Sequence, residues 1–228
     1  MLLRLSRTSV SSLRRNVASL SVSSGSALRN LSMEAAAAVP NEESEAPEGA
    51  SGRSGARFGD FTLPAALVER LKEHSYDQTF GIQEQTLKLA LEGRDILGKA
   101  QTGSGKTLAF LVPIIHRIHE LRKNSGSGRP YSMLDGSGSP LALVLAPTRE
   151  LALQIQTQAD RLCPALGLKS VCVYGGAPIN YQKQQLRNGC DLLIGTPGRL
   201  IDHMQNSGLD LSQVNIAGTC LHVYNLAR

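Results

Sequence analysis

The stretch that decides the fold is Ala100-Gln101-Thr102-Gly103-Ser104-Gly105-Lys106-Thr107. It follows a short segment, Asp95 to Gly98, that is predicted as a strand, and it leads directly into a helical pattern from Lys106 to Lys123. Small residues let the backbone curl so that successive N–H groups point at phosphate oxygens, and the N-terminus of the next helix adds positive potential. The sequence therefore predicts a phosphate-binding loop; the alternative is a glycine-rich turn that binds no nucleotide.

The residues of this loop have distinct expected roles. Lys106 is expected to reach the terminal phosphates of a nucleotide, and the Thr107 hydroxyl is expected to bind Mg²⁺. Ala100 stands where the strict pattern has glycine, a substitution that the backbone accepts. ATP or GTP is the predicted ligand class. The loop residues expected to bind it are Thr102, Gly103, Ser104, Gly105, Lys106 and Thr107.

Around the loop, short apolar strands alternate with helices. The predicted strands are 95–98, 141–145, 170–174 and 191–195, and the predicted helices are 64–73, 82–91, 106–123, 149–162, 179–187 and 199–205. Short apolar strands separated by helices indicate a parallel sheet that is covered on both faces. The predicted fold class is α/β.

Three further turns follow the later strands. They are Pro147-Thr148-Arg149, Gly175-Gly176 and Thr196-Pro197-Gly198-Arg199. The C-terminal ends of parallel strands meet at one edge of a sheet, where Thr148, Arg149 and free helix N–H groups could hold a phosphate. Each turn alone is more often a helix cap. Their joint occurrence favours a rim of phosphate-compatible turns beside the nucleotide loop.

Charge and composition exclude several classes of protein. The chain has 228 residues with 24 Lys+Arg and 19 Asp+Glu, but residues 1–33 hold five arginines and no acid, which leaves 19 residues of each sign elsewhere. The net charge therefore gives no information on nucleic-acid binding. Four cysteines without a Cys-x-x-Cys pair indicate reduced thiols. Apolar runs such as Leu108 to Ile115 are shorter than the roughly 18 residues that span a bilayer, so a soluble protein without a membrane partner is expected.

The N-terminal region is predicted to be a leader followed by a linker. Residues 1–33 combine five arginines and ten serines with no acid, a composition typical of an organellar transit peptide. A mitochondrial location is predicted, with a plastid as the alternative. If the segment is instead a disordered tail, the location is nuclear or cytosolic. Residues 34–57, rich in Ala, Glu, Gly, Ser and Pro, are predicted to be a disordered linker, and residues 124–140 a long surface loop.

From about Phe58 to Ile216 the sequence resembles the first RecA-like lobe of a DEAD-box RNA helicase. The resemblance lies in the loop at 100–107, Pro147-Thr148-Arg149-Glu150-Leu151-Ala152, Gly175-Gly176 and Thr196-Pro197-Gly198-Arg199. It implies a RecA-like P-loop NTPase sheet with helices on both faces. It also implies ATP and Mg²⁺ as ligands, and ATP-dependent RNA unwinding in the full-length family.

The resemblance assigns roles to further residues. Tyr76 is implied to stack on adenine and Gln83 to bond the edge of the base, which favours ATP over GTP; Thr79 stands where the family has proline. A set of turn residues is implied to contact the sugar-phosphate backbone of single-stranded RNA without reading its sequence. These are Pro147, Thr148, Arg149, Gly175, Gly176, Thr196, Pro197, Gly198 and Arg199.

The chain departs from the family after Ile216. The family continues with an apolar strand that ends in Asp-Glu-Ala-Asp, whereas residues 217–228 read AGTCLHVYNLAR. The missing carboxylates organise Mg²⁺ and activate the attacking water, so no catalytic residue is predicted and ATP hydrolysis is expected to fail. Residues 58–216 are predicted to be a partial ATP-binding domain of a truncated helicase, with 217–228 as a divergent tail. The alternatives are a non-catalytic nucleotide- and RNA-binding fragment and a non-functional isoform.

This departure also predicts a structural weakness. In RecA-like sheets the missing strands lie in the middle, beside the strand that leads into the loop. Unpaired backbone groups there would cost about 1 to 3 kcal/mol each, against a domain stability of about 5 to 15 kcal/mol. A marginally folded or aggregation-prone product is expected, although Leu221 and Val223 could place part of the tail in one empty position.

Overall fold

The computed structural model of the chain describes residues 2–4, 53–101, 103–124 and 139–219. The strands in these ranges are β1 (Leu2–Arg4), β2 (Arg53–Arg57), β3 (Gln78–Phe80), β4 (Ile96–Leu97), β5 (Ala142–Leu145), β6 (Ser170–Val173), β7 (Leu192–Gly195) and β8 (Ile216–Thr219). The α-helices are α1 (Ala65–Glu73), α2 (Gly81–Leu91), α3 (Lys106–Asn124), α4 (Arg149–Leu162), α5 (Ile179–Arg187) and α6 (Pro197–Ser207). Every predicted helix and strand is present with its ends within two residues, which is the usual uncertainty of such boundaries.

The main sheet has six strands in the order β4-β1-β8-β5-β7-β6. Strands β8, β5, β7 and β6 run parallel, with four paired residues at each interface. All four residues of β7 are buried. Continuous apolar strands of this kind require cover on both faces of the sheet. The α/β class is confirmed.

The two faces of the sheet pack against different helices. Ala142 and Val144 of β5 belong to one core with residues of α2, α3 and α4, whereas Leu143 belongs to a second core. That second core contains Leu186 of α5 and Leu200 of α6. Successive side chains of a strand point to opposite faces, so the alternation along β5 divides the apolar residues between the two layers. Helices therefore cover both faces, as predicted. In the described ranges, no helix combines the length and the apolar character that a membrane span needs.

Strand β4 leads into the phosphate-binding loop and is called the loop strand. Two segments lie between β4 and β5 in the sheet, at the positions where the sequence predicts missing central strands. Ile216–Thr219 pairs parallel with β5, and Leu2–Arg4 pairs antiparallel with both β4 and β8. The expectation of missing central strands is corrected to this extent, because backbone pairing does not depend on the acidic motif and is open to any extended segment. The rest of the leader and residues 220–228, including Leu221 and Val223, lie outside the described residues.

The predicted linker 34–57 is also corrected at its C-terminal end. Arg53–Arg57 forms a strand that pairs antiparallel with Gln78–Phe80. Thr79 is fully buried, and its hydroxyl donates a hydrogen bond to the carbonyl oxygen of Ala56 at 3.1 Å. Composition alone predicts disorder for a Gly-, Ser- and Arg-containing segment, but pairing with β3 supplies the partners that its backbone groups need.

Candidate nucleotide and nucleic-acid site

The loop between β4 and α3 has the backbone of a phosphate-binding turn. Gly103 and Gly105 have φ of 85° and 79°, a left-handed conformation that favours glycine. Lys106 begins α3, and its Nζ donates hydrogen bonds to the carbonyl oxygens of Ala100 at 2.5 Å and Gln101 at 3.0 Å. The Lys106 ammonium group therefore lies against the backbone of the phosphate-binding loop. Thr102 lies outside the described residues.

Gln83 ties this loop to helix α2. Its side chain is 1% exposed; its Oε1 accepts from the backbone N–H of Phe80 at 2.9 Å, and its Nε2 donates to the carbonyl oxygen of Gly105 at 3.0 Å. A Cβ atom on Gly105 would lie 2.2 Å from that Nε2, so only glycine permits the contact. An amide nitrogen carries two donors, which leaves one for a ligand.

A cavity of about 550 Å³ opens beside the loop, a volume within the range of small-molecule sites. Tyr76 and Gln83 line it together with Gly105 and Thr107 of the loop and helix α3. The Tyr76 hydroxyl lies 3.1 Å from Oε1 of Gln158, to which it donates, and it accepts from Nη1 of Arg161 at 3.3 Å. The full lining is Phe58, Ser75, Tyr76, Asp77, Gln78, Phe80, Gln83, Gly105, Thr107, Leu108, Gln154 and Gln158.

The three later turns come together at the C-terminal edge of the parallel strands. The guanidinium of Arg149 lies 5.0 Å from the ring centroid of Tyr174, a cation–π distance. A Cβ atom on Gly176 would lie 3.3 Å from Nη1 of Arg149. Arg199 donates from its Nη1 to the carbonyl oxygen of Ala177 at 2.9 Å. Two arginines from separate turns thus flank one glycine turn.

Most of this rim is accessible. The exposed predicted residues are Pro147, Thr148, Arg149, Gly175, Gly176 and Gly198, and the partly exposed ones are Thr196, Pro197 and Arg199. Thr148 caps α4, because its Oγ1 accepts from the backbone N–H of Leu151 at 3.3 Å. The same helix carries Gln154 and Gln158 to the cavity. Helix α4 therefore runs from the rim to the wall of the cavity.

Several residues of the site were not predicted from the sequence. Tyr174 supports Arg149, and the buried polar side chains Gln182 and His203 lie beneath the rim. Tyr174 could have been found from the sequence, because an aromatic residue directly before Gly175-Gly176 is a visible signal. Gln182 and His203 could have been found as polar residues on the apolar stripe of a helix.

Burial also shifts the pKa values of several titratable groups in the described residues. Desolvation lowers the pKa of His203, with the positive charges of Arg199 and Lys183 acting in the same direction and Asp202 opposing them. Burial raises the pKa of the Cys163, Cys172 and Cys190 thiols to about 12. These thiols are therefore protonated at neutral pH and are poor nucleophiles.

Comparison with known proteins decides the family. A sequence model described as DEAD/DEAH box helicase matches residues 80–217, more than half of the chain. The chain belongs to the DEAD/DEAH box helicase family. The phosphate loop and the three rim turns lie within the matched region, whereas Phe58 and Tyr76 of the cavity lie before it.

Individual DEAD-box relatives agree with this assignment. The mitochondrial DEAD-box ATP-dependent RNA helicase 9 of Arabidopsis thaliana is 40% identical over 172 residues, which are 75% of this chain and 26% of that protein. The helicase RhlB of Pectobacterium carotovorum is 40% identical over 160 residues, 70% of this chain and 35% of that protein. The crystal structure of the yeast DEAD-box splicing factor Prp28 superposes with a TM-score of 0.57 at 37% identity, over 67% of this chain and 35% of that chain. The chain thus spans about a quarter of the plant relative's length.

The acidic residues that name the family are absent from the expected place. Strand β8 pairs beside β5, but residues 211–228 contain neither Asp nor Glu. Within the described residues, no group of three or more His, Cys, Asp or Glu side chains is arranged to hold a metal ion.

Proposed function

We propose that this chain binds ATP with Mg²⁺ at the loop and cavity, binds the backbone of single-stranded RNA at the rim, and does not hydrolyse ATP. The observation that carries the proposal is that Gly105 and Thr107 line the same cavity as Tyr76 and Gln83. One continuous space therefore connects a phosphate-binding loop with an aromatic ring and an amide that suit a base. We assign this function to residues 58–216, with β8 extending the folded unit to Thr219.

The nucleotide half of the proposal uses four kinds of group. The N–H groups of residues 103–105 and the N-terminus of α3 surround the phosphates, and Lys106 exchanges its two carbonyl contacts for phosphate oxygens. The Tyr76 ring stacks on the base, and the remaining donor of Gln83 bonds its edge. Mg²⁺ suits this donor set, because it normally keeps several waters and takes few protein ligands; Thr107 supplies one oxygen. When bound, the ion neutralises phosphate charge.

Hydrolysis is not proposed, because a residue must position and activate the attacking water, and the family's acidic motif supplies carboxylates for this task. Residues 211–228 offer none. The nucleotide is therefore retained intact, and an unwinding cycle that depends on its turnover does not run in this chain.

The RNA half of the proposal rests on Arg149 and Arg199 and on the N-termini of α4 and α6. Guanidinium groups and helix N–H groups suit phosphate oxygens. Contacts of this kind fix the register of a strand but carry no sequence information. We therefore expect similar affinity for oligo(U) and for a mixed-sequence strand of the same length.

The nucleotide site is tested by titrating a fluorescent ATP analogue with Mg²⁺. Lys106→Ala is expected to weaken binding roughly 10- to 100-fold, because a charge-assisted contact to phosphate is lost. Lys72→Ala is the matched control, since Lys72 is exposed on α1. Equal binding by wild type and Lys106→Ala would exclude the loop as the site.

Hydrolysis and RNA binding are tested on the same preparation. Phosphate release is expected to stay at background with and without RNA, and RNA-stimulated release would refute the proposed lack of turnover. Arg149→Ala is expected to weaken oligo(U) binding about 5-fold at low salt, with exposed Arg187→Ala as the control. If the folded chain binds neither ligand, the chain is a non-functional isoform.

We also propose a mitochondrial location. The acid-free, arginine-containing leader supports it, and the Arabidopsis relative is named as mitochondrial. Residues 1–40 fused to a fluorescent reporter are expected to direct it to mitochondria. A plastid signal would select the alternative organelle, and a diffuse cytosolic or nuclear signal would exclude a transit peptide.

A further inference from the structure

Two polar side chains are buried on helices α5 and α6, beneath the proposed RNA rim. Gln182 of α5 is 3% exposed and His203 of α6 is 0% exposed. Nε2 of His203 lies 3.1 Å from Oε1 of Gln182, and Nδ1 of His203 lies 3.2 Å from the Ser207 hydroxyl. Nε2 of Gln182 donates to the carbonyl oxygen of Tyr174 at 3.0 Å. These groups form one hydrogen-bonded chain, here called the rim relay: Tyr174 carbonyl, Gln182, His203 and Ser207.

The direction of each bond in the rim relay follows from the first one. A carbonyl oxygen only accepts, so the amide nitrogen of Gln182 faces Tyr174 and the amide oxygen faces His203. His203 must then carry its proton on Nε2 and accept from Ser207 at Nδ1. A neutral imidazole fits this pattern, and burial favours the neutral form by lowering the pKa of His203.

The rim relay ends at the turn that joins the RNA-facing residues. Tyr174 comes directly before Gly175-Gly176, and its ring lies against the Arg149 guanidinium. At the other end of the turn, the carbonyl oxygen of Ala177 accepts from Arg199, which lies on the same helix as His203. The backbone on both sides of the two glycines is therefore held by side chains of α5 and α6.

The core itself does not need these polar groups. Gln182 and His203 lie about one helical turn from Leu186 and Leu200 on their own helices, and those leucines belong to the second core. A buried polar group is costly unless it is fully paired, so an apolar residue is the simpler way to fill such a position. Glycines at 175 and 176 give the turn conformational freedom, and the rim relay restrains that freedom from below.

We propose that Gln182 and His203 are positioning residues for RNA binding: the rim relay fixes the Gly175-Gly176 turn and, through Tyr174, the guanidinium of Arg149. This inference rests on the proposed RNA function of the rim. Neither residue contacts RNA; both act through the backbone of Tyr174. Loss of the relay lowers affinity for single-stranded RNA and leaves the nucleotide cavity, on the other side of the sheet, unchanged.

The test measures oligo(U) binding, ATP-analogue binding and thermal unfolding for three variants. Gln182→Met keeps the length of the side chain without its hydrogen bonds, His203→Gln restores one donor towards Gln182, and Gln184→Met is the control on the exposed side of α5. Gln182→Met is expected to weaken RNA binding by up to about 5-fold, no more than the loss of Arg149 itself, with nucleotide affinity within about 2-fold of wild type. His203→Gln is expected to lose less, and Gln184→Met nothing.

Salt dependence separates positioning from general destabilisation. If Arg149 loses its phosphate contact, the slope of log K against log salt becomes shallower by about 0.7, the value of one single-strand phosphate contact. Unchanged RNA affinity and slope in folded Gln182→Met would overturn the inference. A parallel loss of RNA and nucleotide binding that follows the fall in melting temperature would overturn it as well.

A milder variant covers the case in which Gln182→Met does not fold. Ser207→Ala removes only the outer bond of the rim relay at a partly exposed position, and about a 2- to 3-fold loss of RNA affinity is expected; no loss would count against the relay. The outcome for wild type separates the two proposals. Wild type that binds no RNA refutes the proposed RNA function, whereas RNA binding that is unaffected in the variants refutes the relay alone.

Discussion

The six-stranded sheet has two unlike halves. In one, β5, β6, β7 and β8 each contribute four residues to parallel pairings, and β7 is buried throughout. In the other, the loop strand β4 has two residues, Leu2–Arg4 is its one pairing partner among the described residues, and Leu97 is 61% exposed. The proposed RNA rim grows from the first half and the nucleotide loop from the second.

The difference shows that the two parts of the site are held by different means. The rim turns follow four-residue strands that are paired in the parallel sheet, so the sheet itself positions them. The loop follows a strand with few ladder bonds and is held mainly by helices, through the Gln83 contact to Gly105 and the shared core of α2 and α3. We call the part of the sheet with β5 to β8 the rim half and the part with β4 and the phosphate-binding loop the loop half. Substitutions in strands should therefore lower stability most in the rim half, and substitutions at helix contacts should do so in the loop half.

The largest expected effect is in the strand core of the rim half. Ile194→Ala in β7 removes a fully buried side chain and is expected to lower the free energy of unfolding by about 2 to 5 kcal/mol. Leu97→Ala in β4 is the matched truncation in the loop half, and because Leu97 is exposed the expected change is within about 0.5 kcal/mol. Urea denaturation measures both. Equal losses would show that the two halves are equally packed and would remove the contrast.

The next largest expected effect is at the contact between Gln83 of α2 and Gly105 of the phosphate-binding loop. Gly105→Ala places a Cβ 2.2 Å from Nε2 of Gln83 at a φ of 79°, and we expect a loss of stability of about 1 to 3 kcal/mol. Nucleotide binding should fall with it, because the displaced amide belongs to the cavity. Gly103→Ala is the control: its φ is 85°, but no atom lies within 4 Å of the added carbon. If both variants behave alike, backbone conformation alone matters and the Gln83 contact does not hold the loop.

Sequence reasoning succeeded where the information is local. Periodicity predicted α4 and α5 with their observed limits, because an amphipathic helix and a buried strand repeat with different periods. It did not predict β2, since a segment of Gly, Ser and Arg has no pattern until β3 pairs with it. Nor did it predict the position of Leu2–Arg4, because the strand order of a sheet depends on segments far apart in the chain.

The site divides in the same way. Motifs identified the loop and the three turns, and the structure brings the turns together around Arg149 and Gly176. The partners of Gln83 and Gln182 were not predictable, because Gly105 and His203 lie 22 and 21 residues away along the chain. The expectation of a marginally folded product stays a prediction. Urea denaturation of the wild-type chain measures it directly.

The third prediction concerns the pH dependence of stability, to which one histidine in each half contributes. Burial lowers the pKa of His116 in α3 and of His203 in α6 from the ordinary value of 6.5. Between the folded and unfolded pKa values the unfolded chain binds more protons, so stability is complete above about pH 6.5 and falls as the pH drops below it. Each group contributes at most about 1.4 kcal/mol per pH unit.

Substitution of His203 and then of His116 shows how much each histidine contributes to the pH dependence of stability. Glu120, His119 and Arg117 act on His116 from its own helix, whereas Arg199 and Asp202 of α6 and Lys183 of α5 act on His203. Unfolding free energies measured from pH 8 to pH 5 should fall less steeply in His203→Gln than in wild type, and the remaining slope should decrease further in the double variant with His116→Gln. An unchanged slope in the double variant would mean that neither histidine carries the effect.

The smallest expected effect tests the element that connects the two halves. Tyr76→Phe keeps the ring in the cavity but removes the hydroxyl that bonds Gln158 and Arg161 of α4. A partly exposed hydrogen bond of this kind is worth about 0.5 to 1 kcal/mol, and nucleotide affinity is expected to stay within about 2-fold because stacking is retained. Tyr76→Ala, which removes the ring as well, should weaken nucleotide binding strongly. If Tyr76→Phe lowers the affinity as much as Tyr76→Ala, the hydroxyl and its contacts to α4 position the base, and the cavity depends on the rim half more than the sheet alone indicates.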